Sequence, residues 1–213
     1  MFKRKVETYQ EKAFEGIEAA KQYAEGARKS TFRYRAFLNH IQSLGIEGRY
    51  LDVGAGPGIL AGIIAQNNPD VEITALEVSA DMVAVGKNYL KSKGLQDQIE
   101  FVIGDATDEG LMKELGKFDL VYSTYSLHHW ENPRKAIDNF MTSLADKGVL
   151  FIYDLRRVWW LYWVPIQNGF FNSIRAAYIR GEIEEMLKGY RPECYEIKTE
   201  FPFMHSVIVR KST

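Results

Sequence analysis

The sequence has 213 residues, 46% hydrophobic and 26% charged. A chain of this size and composition buries roughly 70% of its unfolded surface around one core, and disordered, collagen-like and membrane-spanning classes are disfavoured. Lys and Arg total 27 against 28 Asp and Glu, a net charge of -1, so no global excess of cations draws the chain onto a phosphate backbone and nucleic acid is not the expected partner. The lone cysteine, Cys194, excludes an internal disulfide and a thiolate metal cluster. One local oddity remains: aromatics total 13%, and Trp159, Trp160 and Trp163 fall within five residues.

The N-terminus, Met1 to Lys5, is basic, but the residues after it alternate in charge instead of forming an apolar signal-peptide core. A secretory leader is not expected, and the location predicted is cytoplasmic. Residues 6–43 are helical in character, with apolar positions at Phe14, Ile17, Phe37, Leu38 and Ile41. After Gly45 and Gly48 short apolar runs alternate with helical segments, the pattern of a parallel sheet wrapped by crossover helices. The expected strands are 50–53, 71–76, 99–103, 120–123 and 149–153, which read as apolar runs charged only at Asp52, Glu72 and Glu100, as expected of strands buried on both faces. A helix begins near Ile59, and Ser79 is placed to cap another that runs to about Lys91 with Gly94 beyond it. Asn132 followed by Pro133 opens a third, to about Leu144. A last helix, 181–188, ends at Gly189, and two strands, 195–199 and 204–210, form an antiparallel hairpin through Phe201, Pro202 and Phe203.

The most informative stretch is Leu51-Asp52-Val53-Gly54-Ala55-Gly56-Pro57-Gly58, a glycine turn between the first strand and a helix. Glycines there let the backbone turn sharply and approach a ligand closely. Ile59 stands where the dinucleotide fingerprint G-x-G-x-x-G needs its third glycine, and Pro57 offers no N–H to an anion, so a ligand without phosphates is favoured. Glu77, at the tip of the second strand, stands where a carboxylate accepts from two ribose hydroxyls. Asp105, after the third strand, could accept from an exocyclic amine.

Together the glycine turn, Glu77 with Ser79-Ala80-Asp81-Met82, Gly104-Asp105-Ala106, and Phe118 to Ser123 through Leu127-His128-His129-Trp130 resemble the class I, seven-strand, Rossmann-like S-adenosylmethionine-dependent methyltransferases, most of all their small-molecule branch. The resemblance covers about residues 48–155 by motif. It implies a doubly wound, mostly parallel α/β sheet of seven strands with a C-terminal antiparallel hairpin and an N-terminal helical cap. The whole chain would be one domain: cap 1–48, cofactor-binding core 49–155, aromatic acceptor-side insertion 156–180, final helix and hairpin 181–213. By the same resemblance Asp52, Gly54, Ala55 and Gly56 would line the methionine end of S-adenosylmethionine, Asp52 facing its positive charge. Glu77 would hold the ribose, Val78 and Met82 would flank the adenine, Asp105 and Ala106 would bind its edge, and the Ser123 backbone would meet the amino-acid portion. S-adenosylhomocysteine would be the product.

Methyl transfer from a sulfonium is an in-line displacement, so positioning the acceptor is the main task. Where a base is needed, His128, His129 and Asp154 are the candidates, since side chains after the fourth and fifth strands face the methyl in this fold. Arg156 could clamp an anionic acceptor. Trp159, Tyr162 and Trp163 lie at i, i+3 and i+4, so as a helix this piece is apolar nearly all round. With Trp160 and Tyr178 it forms a lid over the acceptor, part of the core, a homodimer interface or a peripheral membrane contact. No metal site is expected, because adjacent His128 and His129 side chains diverge on most backbones. The partner expected is a small organic acceptor, aromatic or lipophilic. The rival functions are a nicotinamide-dependent oxidoreductase and a non-catalytic S-adenosylmethionine-binding protein.

Overall fold

The computed structural model describes Arg4, residues 16–165 and residues 169–211, with only the backbone of Tyr162. Of the expected cap, 1–3 and 5–15 lie outside the described residues. The remainder is α1 (Ile17–Lys29), a 3-10 turn (Thr31–Tyr34) and α2 (Arg35–Leu44), which Gly45 ends in a left-handed conformation. Helix α1 buries only Ala20 and Ala24. Small side chains on that face let it lie close against the glycine turn and the helix after the second strand. Helix α2 drives Phe37 into the core, where its ring stacks on Phe151 at 4.9 Å.

The core then alternates: β1 (Arg49–Val53), α3 (Ile59–Asn67), β2 (Glu72–Glu77), α4 (Ala80–Lys93), β3 (Ile99–Ile103), α5 (Glu109–Leu115), β4 (Phe118–Thr124), α6 (Pro133–Ser143) and β5 (Leu144–Leu155). After it come α7 (Gly169–Ala176), α8 (Arg180–Met186), β6 (Tyr195–Glu200) and β7 (Met204–Arg210). The seven strands lie in the order β3-β2-β1-β4-β5-β7-β6. Only β7 runs against its neighbours. One apolar layer joins Phe37, Leu60, Ile64 and Val83 to one sheet face, and a second joins Met112, Phe140 and Ile183 to the other. The sheet is therefore doubly wound, as expected. Strand order reverses between β1 and β4, and a crevice outside their C-terminal ends is where such sheets bind ligands.

Local chemistry set the boundaries that the sequence indicated. Ser79 Oγ accepts from the Met82 N–H at 3.3 Å, Asn132 Oδ1 from the Lys135 N–H at 3.1 Å, and Gly94 closes α4 at φ 69°. Two expectations need correction. The helix foreseen across Trp159–Val164 is a single 3-10 turn (Trp159–Trp163) that, among its described side chains, buries Leu161 and leaves Trp159 68% and Trp163 73% exposed. Three residues per turn cannot maintain an α-helical stripe. Strand β5 starts five residues before the expected Val149, because Leu144 pairs with Phe118 ahead of a shift in register.

Candidate active site

A cavity of about 270 Å³ opens at the C-terminal ends of β1 and β4. Its floor is the glycine turn, and its roof is Tyr23, Gly26 and Ala27 of α1 with Arg33 and Tyr34. Thr124 and Tyr125 close the side next to β4. Gly54, Gly56 and Gly58 all have positive φ (72°, 55° and 66°), a path that L side chains rarely follow. A Cβ on Gly54 would also overlap the Ser126 hydroxyl. The turn is tied down by Gly54 and Ala55 N–H donating to the Leu76 carbonyl at 2.9 and 3.1 Å.

Asp52 lines this cavity and is 2% exposed. Burial raises its carboxyl to about 7, with nearby Glu77 adding to the rise and the Tyr122 hydroxyl opposing it. Neither Asp52 Oδ2 nor that hydroxyl makes a hydrogen bond of good geometry. A buried carboxylate in the wall of a cavity is suited to a cation. Glu77 sits directly behind the turn: Oε2 accepts from the Gly56 N–H at 2.8 Å and Oε1 from the Ser79 N–H at 3.0 Å. The carboxylate fixes both the turn and the start of α4, and each oxygen keeps a lone pair for a further donor. Burial raises its pKa, and those N–H groups resist the rise. Past Glu77 the surface is apolar and open, with Val78 and Ile103 exposed at adjacent strand tips.

A family profile described as "Methyltransferase domain" matches residues 51–150. The matched stretch runs from β1 to β5 and includes the glycine turn and Glu77. Residues 51–150 thus carry a match to a methyltransferase domain, and the strand order fits the class I methyltransferase fold. The demethylmenaquinone methyltransferase of Thermotoga maritima is 25% identical over 142 residues, 61% of this chain and 58% of that protein. Ribosomal RNA small subunit methyltransferase C of Enterobacter sp. strain 638 is 32% identical over 83 residues, 38% of this chain and 22% of that protein. The chain thus spans less than two thirds of either curated relative. The plantazolicin methyltransferase BpumL, solved with a triazolic desmethylPZN analog and SAH, has the same fold, with TM-score 0.73, 15% identity, and 95% of this chain and 94% of that chain covered.

Four of the expected cofactor residues, Asp52, Gly54, Ala55 and Gly56, line the cavity itself. Ser123 lies beneath, its hydroxyl donating to the Val53 carbonyl at 2.8 Å. Met82 is buried under the start of α4, and Asp105 Oδ1 accepts from the Thr107 N–H at 2.7 Å. Ala106 is held by the Asn139 amide, which donates to its carbonyl at 2.9 Å.

His128, His129 and Asp154 do come together, but outside the cavity wall. Asp154 Oδ1 lies 2.8 Å from His128 Nδ1, and Oδ2 accepts the His128 backbone N–H at 2.9 Å. The two imidazoles, expected to diverge, have centroids 4.0 Å apart. Burial and the neighbouring His128 push His129 down to about 4. Arg4 covers this corner, donating to the His128 carbonyl at 2.9 Å with its guanidinium 4.0 Å from the Tyr178 ring centroid. Arg156 is half-buried against the Pro202 carbonyl, and Trp160 packs on Phe203 at 6.1 Å. Sequence reasoning missed Tyr23, Arg33, Tyr34 and Tyr125. The alternation of cations and aromatics in Arg33-Tyr34-Arg35, and the position of Tyr125 just past β4, were the available signals. Tyr125 also has φ 53°, which non-glycine residues rarely adopt and which marks functional turns.

Proposed function

We propose that this methyltransferase transfers the methyl of S-adenosylmethionine to a small aromatic or lipophilic acceptor. The observation that carries the reading is Asp52: a buried carboxylate in the wall of a cavity whose glycine turn has no phosphate cradle. When bound, the cofactor supplies an electrophilic methyl on a positively charged sulfur, open to in-line attack by an acceptor lone pair or carbanion.

The protein's own groups then divide the work. Asp52 answers the cofactor's positive charge, and Gly54, Ala55 and Gly56 line the methionine end. Glu77 accepts from the ribose hydroxyls with its remaining lone pairs. Val78, Ile103 and Met82 bound the adenine face, with Asp105 and Ala106 at its edge. On the acceptor side, burial raises the pKa of Tyr34 and Tyr125, so both phenols stay protonated and donate rather than abstract. His128 and Asp154 act at one remove, holding the turn that carries Tyr125. Calorimetry with S-adenosylmethionine, S-adenosylhomocysteine and NAD tests the cofactor assignment, followed by a methyl-release assay over phenolic, quinone-like and amine acceptors. Binding of NAD without S-adenosylhomocysteine overturns the reading; cofactor binding without turnover of any acceptor moves the chain to a sensor role.

A further inference from the structure

We propose that the aromatic rim of the cavity mouth is a docking surface for an anionic lipid bilayer, from which the acceptor enters the site. This rests on the assignment of a lipophilic acceptor above. The rim is continuous with the cavity wall. The Arg33 guanidinium, part of that wall, lies 4.9 Å from the Tyr125 ring centroid and 5.6 Å from that of Phe170. Phe170 lies 6.4 Å from Phe203, and Phe203 lies 6.1 Å from Trp160. The first residues of α7, the Trp159–Trp163 turn and the β6–β7 turn thus form one patch. Phe201, in the β6–β7 turn, is 97% exposed, Phe32, next to Arg33 in the chain, is 77% exposed, and Trp159 and Trp163 are exposed in their own turn. Aromatic rings partition to the headgroup level of a bilayer, and so large an apolar rim marks an interaction surface.

Charge selects the kind of surface. Residues 26–46 carry Arg28, Lys29, Arg33 and Arg35 with no acid, and residues 155–181 carry Arg156, Arg157, Arg175 and Arg180 with no acid. At the chain average of 28 in 213, these stretches would hold about six acidic residues. Lys29, Arg157 and Arg180 pair with Glu25, Glu182 and Glu184 just outside these stretches, and Arg28, Arg33, Arg35 and Arg156 are the cations left for a negatively charged leaflet to meet. A second copy of the chain fits less well, since a two-fold contact would set these cations against their own images. A polynucleotide also fits less well. Arg157 is committed to Glu182 at 2.7 Å, Arg180 to Glu184 at 2.8 Å, and Arg175 to the Leu161 and Val164 carbonyls. Aromatics then outnumber the cations left facing outward.

The test is cosedimentation of the full chain with vesicles of phosphatidylcholine alone and of phosphatidylcholine with 30% phosphatidylglycerol, read together with tryptophan emission. Binding to the anionic vesicles with a blue shift is expected. The Trp159→Ala/Trp163→Ala double variant should lose at least tenfold in vesicle affinity while binding S-adenosylhomocysteine like the parent, which also reports that it is folded. No binding to anionic vesicles, or equal binding by the double variant, overturns the proposal. A concentration-dependent dimer whose emission shifts without lipid assigns the rim to a second copy, and retention by a structured RNA hairpin but not by vesicles assigns it to nucleic acid; either overturns the proposal. Failure of S-adenosylhomocysteine to bind while vesicle binding persists sinks the cofactor reading alone.

Discussion

Replacing Asp52 by Asn should move stability and cofactor affinity in opposite directions. The folded chain holds the Asp52 proton up to about pH 7, whereas an unfolded aspartate loses it near 3.9. The folded state therefore binds more protons in this window, and the linkage sign is that stability falls as pH rises from about 4 to about 7. At 1.36 kcal/mol per decade, the full penalty is about 4 kcal/mol, of which about 2.5 develops between pH 5 and pH 8. For a chain of this length that is about 5–10 °C in melting temperature. Thermal unfolding of the cofactor-free protein across that range should show the fall in the wild type, and Asp52→Asn should lack that component. Affinity for S-adenosylmethionine runs the other way, because only the ionised carboxylate answers a cation. The ionised fraction rises about tenfold from pH 6 to pH 8, so calorimetry should find binding tightening by about that factor, and the Asn variant should bind weakly and without that rise. Parallel melting profiles for the two proteins, or an affinity in the wild type that is flat in pH, would refute the reasoning.

Three further outcomes follow from the site and its supports. Glu77→Gln keeps one accepting oxygen and must give up a bond to the turn or to the ribose, so its affinity for S-adenosylhomocysteine should drop at least tenfold by calorimetry; an unchanged affinity removes Glu77 from the binding site. Gly86→Ala places a methyl into the Phe101 ring and 3.1 Å from the Pro57 carbonyl, and a Cβ on Gly58 would meet the same ring at 2.8 Å. Urea unfolding should register about 1–3 kcal/mol of lost stability, much of it restored by Phe101→Leu in the same chain. His129, held at about 4, should stay neutral from pH 5.5 to 8. An imidazole resonance assigned to His129 that titrates near 6.5 would contradict the burial described.

The sheet was legible because its central strands are buried and read as apolar runs, whereas the edge strands β3 and β6 expose residues such as Glu100 and Glu196, and because Ser79, Asn132 and Gly94 mark helix ends through local hydrogen bonds. The glycine turn was legible for a similar reason: each position constrains its own backbone. What could not be read depends on contacts between distant segments. Tyr23, Arg33 and Tyr34 reach the cavity only because α1 crosses over the glycine turn, 20 or more residues ahead in the chain. The partner of Asp154 was open between a cap, a flanking arginine and a catalytic role, since only the pairing of Thr124 with Tyr153 brings His128 beside it. The Trp159–Trp163 turn misled because a 3-10 turn and one α-helical turn share the same local composition.

The wall of the cavity also constrains which acceptors fit the proposed chemistry. Among the described residues lining it there is no histidine, lysine or cysteine. Among those residues the phenols are held protonated, and the one carboxylate, Asp52, is the group proposed to answer the cofactor's charge. A group that must lose a tightly held proton in the transition state would find no base among these described residues, and His128 lies outside the cavity wall. The acceptor must then bring its own nucleophilic atom, as an already ionised phenol, an enolate-like carbon or a neutral amine would. Arg33, bracketed by Tyr125 and Phe170, is placed to favour the anionic members of that set. A pH–rate profile governed by the acceptor's own ionisation, and moving with it across a series of substituted phenols, is the expected signature; a profile fixed by the enzyme across the series would require a base that this wall lacks.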